Sequence, residues 1–207
     1  MEIIGIICEY NPFHNGHKYH IDMIKKKYPK SIIVLALSGY FSLRGDVSVL
    51  TKEDKVKLAL SYGVDIVVEM PFILSTQSAD IFADTAVKIL NNFSVDRIIF
   101  GSESNDLETI EKIAQIQLYD NDFDKRLKLA LKSGTNYPTA LANALGVEFD
   151  FKPNDLLGVS YVKSALKNHF EIEFETHFEY GKWEILKSFN KLILTLFFST
   201  NLWILKL

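Results

Sequence analysis

The chain has 207 residues, of which 48% are hydrophobic and 24% are charged, with a formal net charge of −3. This length allows one or two domains with a full core, and the composition is that of a globular protein, not a disordered one. The slightly acidic balance excludes a surface that is basic throughout, so nucleic acid would have to bind a local patch. The single cysteine, Cys8, cannot form an internal disulfide, so we expect a buried structural thiol and a cytoplasmic location. The N-terminus lacks the basic segment of a signal peptide.

Short, continuous apolar runs recur along the first half of the chain and predict strands buried on both faces of a parallel sheet. Amphipathic helical patterns separate these runs. This alternation predicts a doubly wound α/β fold. The predicted strands cover residues 3–7, 32–37, 66–68 and 98–100, and the predicted helices cover residues 16–27, 51–62 and 78–91.

From residue 105 the hydrophobic spacing becomes helical throughout, and it predicts four helices, the second and third closed by Gly134 and Gly146. Residues 171–176 then alternate apolar and acidic side chains, which predicts a fifth strand at the edge of the sheet. The chain is therefore expected to consist of an α/β core over residues 1–104, a helical insertion over 105–170, and a last strand with an apolar tail over 171–207.

The tail, residues 192–207, is strongly apolar but is interrupted by Ser199, Thr200, Asn201 and Lys206. Its uninterrupted run is shorter than the ~20 residues that cross a bilayer, so no membrane span is expected. Three interpretations stay open: a buried helix or strand, a segment lying on a membrane surface, or an altered ending of a longer protein.

The stretch from Gly5 to His20, GIICEYNPFHNGHKYH, predicts a strand that breaks into a polar turn and then a helix. It holds three of the five histidines of the chain, His14, His17 and His20, with Gly16 at the start of the helix. A turn of this kind directs free backbone N–H groups and the positive end of the helix dipole at an anion. Imidazole donors at that position favour a phosphate ligand.

Other kinds of site match this stretch less well. It lacks the G-x-G-x-x-G of a nicotinamide site, the H-E-x-x-H of a zinc protease and the nucleophile-elbow serine of a hydrolase. Two further loops, residues 38–46 and 101–104, are expected at the same carboxyl ends of the strands. Asp46 and Glu103 in these loops either assist a divalent cation or are solvated, and Arg44 either meets pyrophosphate or RNA or forms a surface salt bridge.

The string His14-Asn15-Gly16-His17 resembles the H-x-G-H signature of the HIGH superfamily of nucleotidyltransferases and class I aminoacyl-tRNA synthetases. The wider set of motifs, from Met1 to about Glu175, closely resembles the bacterial tRNA(Met) cytidine acetate ligases. These motifs are GIICEYNPFHNGHKYH, LSGYFSLRGD, DIVVEMPF, SADIFADTAV, RIIFGSES and KPNDLLGVSYVKSAL. The resemblance implies a Rossmann-like, five-stranded nucleotide-binding core.

The resemblance also implies a reaction, in which ATP activates acetate as acetyl-adenylate and N4 of the wobble cytidine of elongator tRNA(Met) is then acetylated. A divalent cation, Mg²⁺, is expected on the pyrophosphate side, without protein ligands assigned to it. His14 and His17 are expected to be catalytic, as donors to the phosphates. By position, the residues expected to bind ATP are Ile7, Cys8, Glu9, Tyr10, Asn11, Pro12, Phe13, His14, Asn15, Gly16, His17, Lys18, Tyr19, His20, Gly101 and Asn154.

The resemblance ends after Thr176. Members of that family continue with a basic segment that includes a nucleotide-binding arginine, whereas this chain continues with HFEYGKWEILKSFN. Lys182 and Lys187 lack the bidentate guanidinium of an arginine. We therefore expect impaired adenylation and weak tRNA binding. The alternatives are a small-molecule nucleotidyltransferase of the same superfamily and an inactive, truncated ATP-binding remnant.

Overall fold

The computed structural model describes residues 1–146 and 152–178, which form alternating strands and helices followed by a helical block and a last strand. The elements in chain order are β1 (Ile3–Cys8), α1 (Asn15–Lys27), β2 (Ile32–Leu37), α2 (Lys52–Ser61), β3 (Ile66–Glu69), α3 (Phe72–Ser75), α4 (Ala79–Asn92), β4 (Arg97–Ser102), α5 (Leu107–Tyr119), α6 (Phe123–Lys132), α7 (Tyr137–Leu145), α8 (Pro153–Asn168) and β5 (Glu173–Phe178).

The five strands form one parallel sheet in the order β3-β2-β1-β4-β5. The order reverses between β1 and β4, and this reversal is the point at which doubly wound sheets bind ligands. The predicted fold class is confirmed, as is the edge position of the fifth strand. Helices α5 to α8 all lie between β4 and β5 in the chain.

Each face of the sheet has its own hydrophobic core because successive residues of a strand point to opposite faces. In β1, Ile4 and Ile6 pack with Ile21 and Ile24 of α1 on one face. Ile7 packs on the other face with residues of α4, α5 and α8. The predicted burial on both faces is confirmed for β1, β2 and β4, which is why these runs lack the alternation of a half-exposed strand. It is wrong for residues 66–68, because β3 lies at the edge of the sheet and Ile66 is 37% exposed.

Three element boundaries differ from the sequence prediction. The short helix α3 was not predicted, because four residues carry too little periodicity to detect. Strand β4 continues to Ser102, so Gly101 lies inside the strand, paired with His177, and not just beyond its end. Strand β5 starts two residues later than expected because α8 closes at His169 in the left-handed conformation and Phe170 still bonds back to Ala165.

Within residues 1–146 and 152–178, no helix has both the length and the hydropathy needed to span a bilayer. The predicted apolar tail, residues 192–207, lies outside the described residues.

Candidate functional site

A cavity of about 630 Å³ opens at the carboxyl ends of the strands. This is within the range of small-molecule sites in proteins. The stretch after β1 forms its floor, the loop after β2 one side, and β4 with the start of α8 the other. It is lined by most of the residues that the sequence predicts to bind a nucleotide: Ile7, Cys8, Glu9, Tyr10, Asn11, Pro12, His14, Gly16, His17, Tyr19, His20, Gly101 and Asn154.

Three residues of the predicted set do not line the cavity. Phe13 is buried in the core, where its ring stacks on Tyr62 at a centroid distance of 5.0 Å. Asn15 is the first residue of α1, and Lys18 pairs with Asp22 on the outer surface of that helix. Phe13 therefore supports the turn from beneath.

His14 and His17 cap the N-terminus of α1 reciprocally. The Nδ1 atom of His14 accepts a hydrogen bond from the Gly16 backbone N–H at 3.1 Å. The Nδ1 atom of His17 accepts one from the His14 N–H at 3.2 Å. A neutral imidazole that accepts at Nδ1 carries its proton on Nε2. Both rings therefore retain an Nε2–H donor, next to the positive end of the helix dipole.

The rings of His14 and His17 stack at a centroid distance of 3.8 Å. Burial lowers the pKa of His14 to about 4. Burial, followed by the repulsion of His14 and His20, lowers the pKa of His17 well below its ordinary value. Both side chains are thus neutral at physiological pH, and they act as hydrogen-bond donors and not as cations.

Tyr10 holds His17 in place from the side of the core. Its ring lies 4.6 Å from the His17 ring and packs edge-on against Phe13 at 4.8 Å. Tyr10 is 1% exposed and has a φ of 47°, which is unusual for a bulky residue. Burial first, and then Cys8, raise its pKa. The aromatic side chains around the turn thus fix the orientation of an imidazole.

Lys55 is a buried residue that the sequence prediction missed. Its side chain has no exposure, and its Nζ donates to three backbone carbonyls: Glu9 at 3.0 Å, Ser38 at 2.7 Å and Gly39 at 2.6 Å. Burial lowers its pKa to about 8. The ammonium therefore ties together the ends of β1 and β2 as they enter the cavity. Its place on the buried face of α2, beside Leu58, is the signal that could have revealed it.

Gly101 and Asn154 lie on the opposite wall, where hydrogen bonds join the start of α8 to the chain just after β4. Glu103 accepts hydrogen bonds from the Asn154 backbone N–H at 3.1 Å and the Asp155 N–H at 3.2 Å. It also accepts one from the Asn154 amide at 3.2 Å. Glu103 therefore caps α8 and is not among the cavity-lining residues, a role that the two expected alternatives, cation binding and solvation, did not include.

His177 is a cavity-lining residue that the prediction missed, since the expected strand stopped at residue 176. Its ring lies 4.2 Å from the ring of His20. Burial is the main cause that lowers the pKa of both side chains. Cys8, expected to be a buried structural thiol, is only partly buried and lines the cavity.

The carboxylates on the cavity belong to Glu9 and Asp46. Within the described part of the chain, no three His, Cys, Asp or Glu side chains are grouped to hold a metal ion. Mg²⁺ commonly binds through one or two carboxylates together with substrate phosphates. This set of residues therefore fits an ion carried by a triphosphate and not a metal held by the protein alone.

Comparison with known proteins finds relatives that share one description. The chain is 44% identical over 178 residues to the tRNA(Met) cytidine acetate ligase of Mesomycoplasma hyopneumoniae, covering 84% of this chain and 56% of that protein. It is 43% identical over 173 residues to the tRNA(Met) cytidine acetate ligase of Fusobacterium nucleatum, covering 83% of this chain and 43% of that protein. The chain thus spans about half the length of the curated relatives it matches.

The fold matches a crystal structure of Thermotoga maritima TmcAL bound with alpha-thio ATP, with a TM-score of 0.85 and 33% sequence identity. That match covers 97% of this chain and 56% of the other. The family model for HIGH nucleotidyl transferases matches residues 1–177, which include β1 to β4 and all of β5 except its last residue. With its H-x-G-H histidines at the start of α1, in a cavity where the strand order reverses, the chain belongs to the HIGH nucleotidyl transferase family.

Proposed function

We propose that this chain binds ATP in the cavity and uses it to activate acetate, for transfer to the N4 amine of the wobble cytidine of elongator tRNA(Met). The observation that carries the proposal is the pair of neutral imidazoles at the N-terminus of α1. Both retain an Nε2–H donor and both line the cavity. The 44% identity to a tRNA(Met) cytidine acetate ligase supports the choice of substrates.

In the first step a carboxylate oxygen of acetate attacks the α-phosphorus of ATP. An O–P bond forms, the bond from the α-phosphorus to the bridging oxygen breaks, and pyrophosphate leaves with the electron pair. Such a displacement needs positioning and donors for the developing charge, with no protein nucleophile. His14 and His17 are suited to that role because their N-cap hydrogen bonds hold both rings at the helix start.

In the second step the N4 amine of cytidine attacks the acetyl carbon and a C–N bond forms. The bond from that carbon to the phosphate oxygen breaks, AMP leaves with the electron pair, and the amine loses a proton to solvent. Gly101 and Asn154 are expected to contact the nucleotide from the wall of the cavity that lies opposite the histidines. Asp46, in the loop after β2, is the carboxylate on that side of the cavity that could help to hold Mg²⁺, which would neutralise the triphosphate.

Acetate-dependent exchange of labelled pyrophosphate into ATP tests the first step. The wild-type chain should exchange label only when acetate is present. His17→Ala should lower the exchange rate about 100-fold, the usual effect of removing one donor from a transition state. His169→Asn is the matched control, because His169 is an exposed imidazole at the end of α8 and asparagine tolerates its left-handed conformation.

Transfer is tested separately, by incubating the chain with ATP, labelled acetate and a tRNA(Met) transcript, and by locating the label on cytidine. Exchange that proceeds without acetate would indicate a different acceptor for the nucleotidyl group. ATP binding with no exchange at all would indicate an inactive nucleotide-binding domain. Either result, or a His17→Ala protein that exchanges as fast as wild type, contradicts the proposal.

A further inference from the structure

The loop after β2 forms a short β-hairpin over residues 40–48. Phe41 and Val47 make an antiparallel bridge, and the Ser48 N–H donates to the Tyr40 carbonyl at 2.8 Å. The tip is a turn in which the Gly45 N–H donates to the Ser42 carbonyl at 2.9 Å. Gly45 has a φ of +82°, a conformation that glycine adopts without strain. The two central residues of this turn, Leu43 and Arg44, line the cavity.

The hairpin is fixed to the turn that carries the catalytic histidines. The carboxylate of Glu9 accepts a hydrogen bond from the Leu43 N–H. The amide oxygen of Asn11 accepts one from the Val49 N–H at 2.8 Å. Glu9 and Asn11, both predicted from sequence to bind nucleotide, therefore also brace the hairpin. The position of Arg44 relative to His14 is set by these contacts.

Arg44 is exposed, and within residues 1–146 and 152–178 it has no ion pair or hydrogen-bond partner for its side chain. Among the described residues that line the cavity, it is the one with a permanent positive charge. Glu9 and Asp46 contribute two negative charges, and the histidines are neutral. The surface salt bridge, one of the two alternatives expected for Arg44, is thus not formed by the described residues. A polyanion bound in the cavity would contact one guanidinium, that of Arg44.

We propose that Arg44 binds the β- and γ-phosphates of the nucleotide and holds the departing pyrophosphate. The inference rests on the proposed binding of ATP. Strands β2 and β4 lie on either side of β1, about 10 Å apart at the usual strand spacing. A nucleoside against Gly101 on the β4 side, with its α-phosphate at α1, extends its outer phosphates toward the hairpin after β2. A guanidinium suits that place because it binds phosphate oxygens in pairs.

Binding of three probes to four proteins tests this assignment. The probes are ATP, AMP and inorganic tripolyphosphate, measured by titration calorimetry at fixed salt. Arg44→Ala should weaken ATP and tripolyphosphate about 10- to 100-fold, the usual range for hydrogen bonds to a charged group. AMP binding should change by less than about 2-fold, because AMP lacks the phosphates that Arg44 contacts.

Two further variants separate charge from geometry. Arg44→Lys keeps the charge but loses the paired donors, so its ATP affinity should fall between those of wild type and Arg44→Ala. Lys30→Ala removes an equal charge from the exposed turn before β2, at the amino end of the strands and away from the cavity. This variant should bind all three probes as wild type does.

Wild-type affinity of Arg44→Ala for ATP and tripolyphosphate would overturn the assignment. Equal losses for ATP and AMP would also overturn it, because they would indicate general damage to the hairpin. A different result would contradict the proposed function. If wild type binds tripolyphosphate through Arg44 but does not bind ATP, the ligase proposal falls and the phosphate site remains.

Discussion

The carboxylate of Asp155, in the first turn of α8, accepts a hydrogen bond at 2.5 Å from the hydroxyl of Ser102, the last residue of β4. The hydroxyl of Ser104 donates to the same oxygen at 3.0 Å. Asp155 has no exposed surface. This contact joins two elements that are about 50 residues apart in the chain, and it holds the start of α8, with Asn154, against the end of β4.

Asp155→Ala should therefore lower the free energy of unfolding by about 2–3 kcal/mol, because it leaves the buried Ser102 hydroxyl without its carboxylate acceptor. Urea denaturation monitored by circular dichroism measures this change. Asp124→Asn is the matched control: it alters an exposed acid in the first turn of α6 and should change stability by less than about 0.5 kcal/mol. Equal effects of the two substitutions would contradict a structural role for the contact.

We expect the protein to lose stability in mild acid because its buried histidines are neutral in the folded state. The pKa of His14 falls from 6.5 to about 4 on folding. Below about pH 6.5 the unfolded chain therefore takes up a proton that the folded chain does not, until the pH reaches about 4. The stability contributed by neutral His14 is full above pH 6.5 and is lost over that window, by up to about 3 kcal/mol.

His14→Asn isolates this effect, because asparagine is a good N-cap that does not titrate. The variant should lose less stability than wild type between about pH 7 and pH 4.5 in urea denaturation. A residual slope is expected from His17, His20 and His177, whose pKa values are also lowered by burial. Parallel curves for wild type and His14→Asn would refute the buried, neutral state of His14.

Lys55→Met should destabilise the protein by about 3 kcal/mol, because three backbone carbonyls lose their donor in a buried site. Chemical denaturation gives the size of the effect, and ATP titration shows whether the loops after β1 and β2 have moved. Lys57→Met, two residues further along the same helix, replaces an exposed lysine and should have little effect on either measurement. If both variants are equally stable, the three hydrogen bonds contribute no net stability.

Gly158→Ala should be destabilising even though alanine favours helices. A Cβ at this position would lie 2.4 Å from Cε2 of Phe100. Overpacking of this kind costs about 1–3 kcal/mol, which exceeds the gain of about 1 kcal/mol in helix propensity. Thermal denaturation measures the sum. Lys167→Ala, at an exposed position of α8, introduces the same side chain without a clash and with little change in helix propensity, so it should be close to neutral. A neutral or stabilising outcome for Gly158→Ala would contradict close packing of α8 on β4.

Much of the fold and of the site could be predicted from sequence because both are encoded locally. Runs such as Ile32–Leu37 are apolar at every position, which is typical of strands covered on both faces. The H-x-G-H turn joins a strand to a helix within a few residues, so His14 and His17 could be placed at a helix N-terminus without tertiary information.

The tertiary structure decided the features that depend on residues far apart in the chain. Lys55 becomes a clamp only when α2 packs over the ends of β1 and β2, and Glu103 becomes a helix cap only when α8 docks on β4. The neutral state of the histidines likewise depends on how deeply the turn is buried. Local sequence determined which residues could bind phosphate, whereas packing decided their protonation and which neighbours hold them, because burial and long-range hydrogen bonds exist only once the chain has folded.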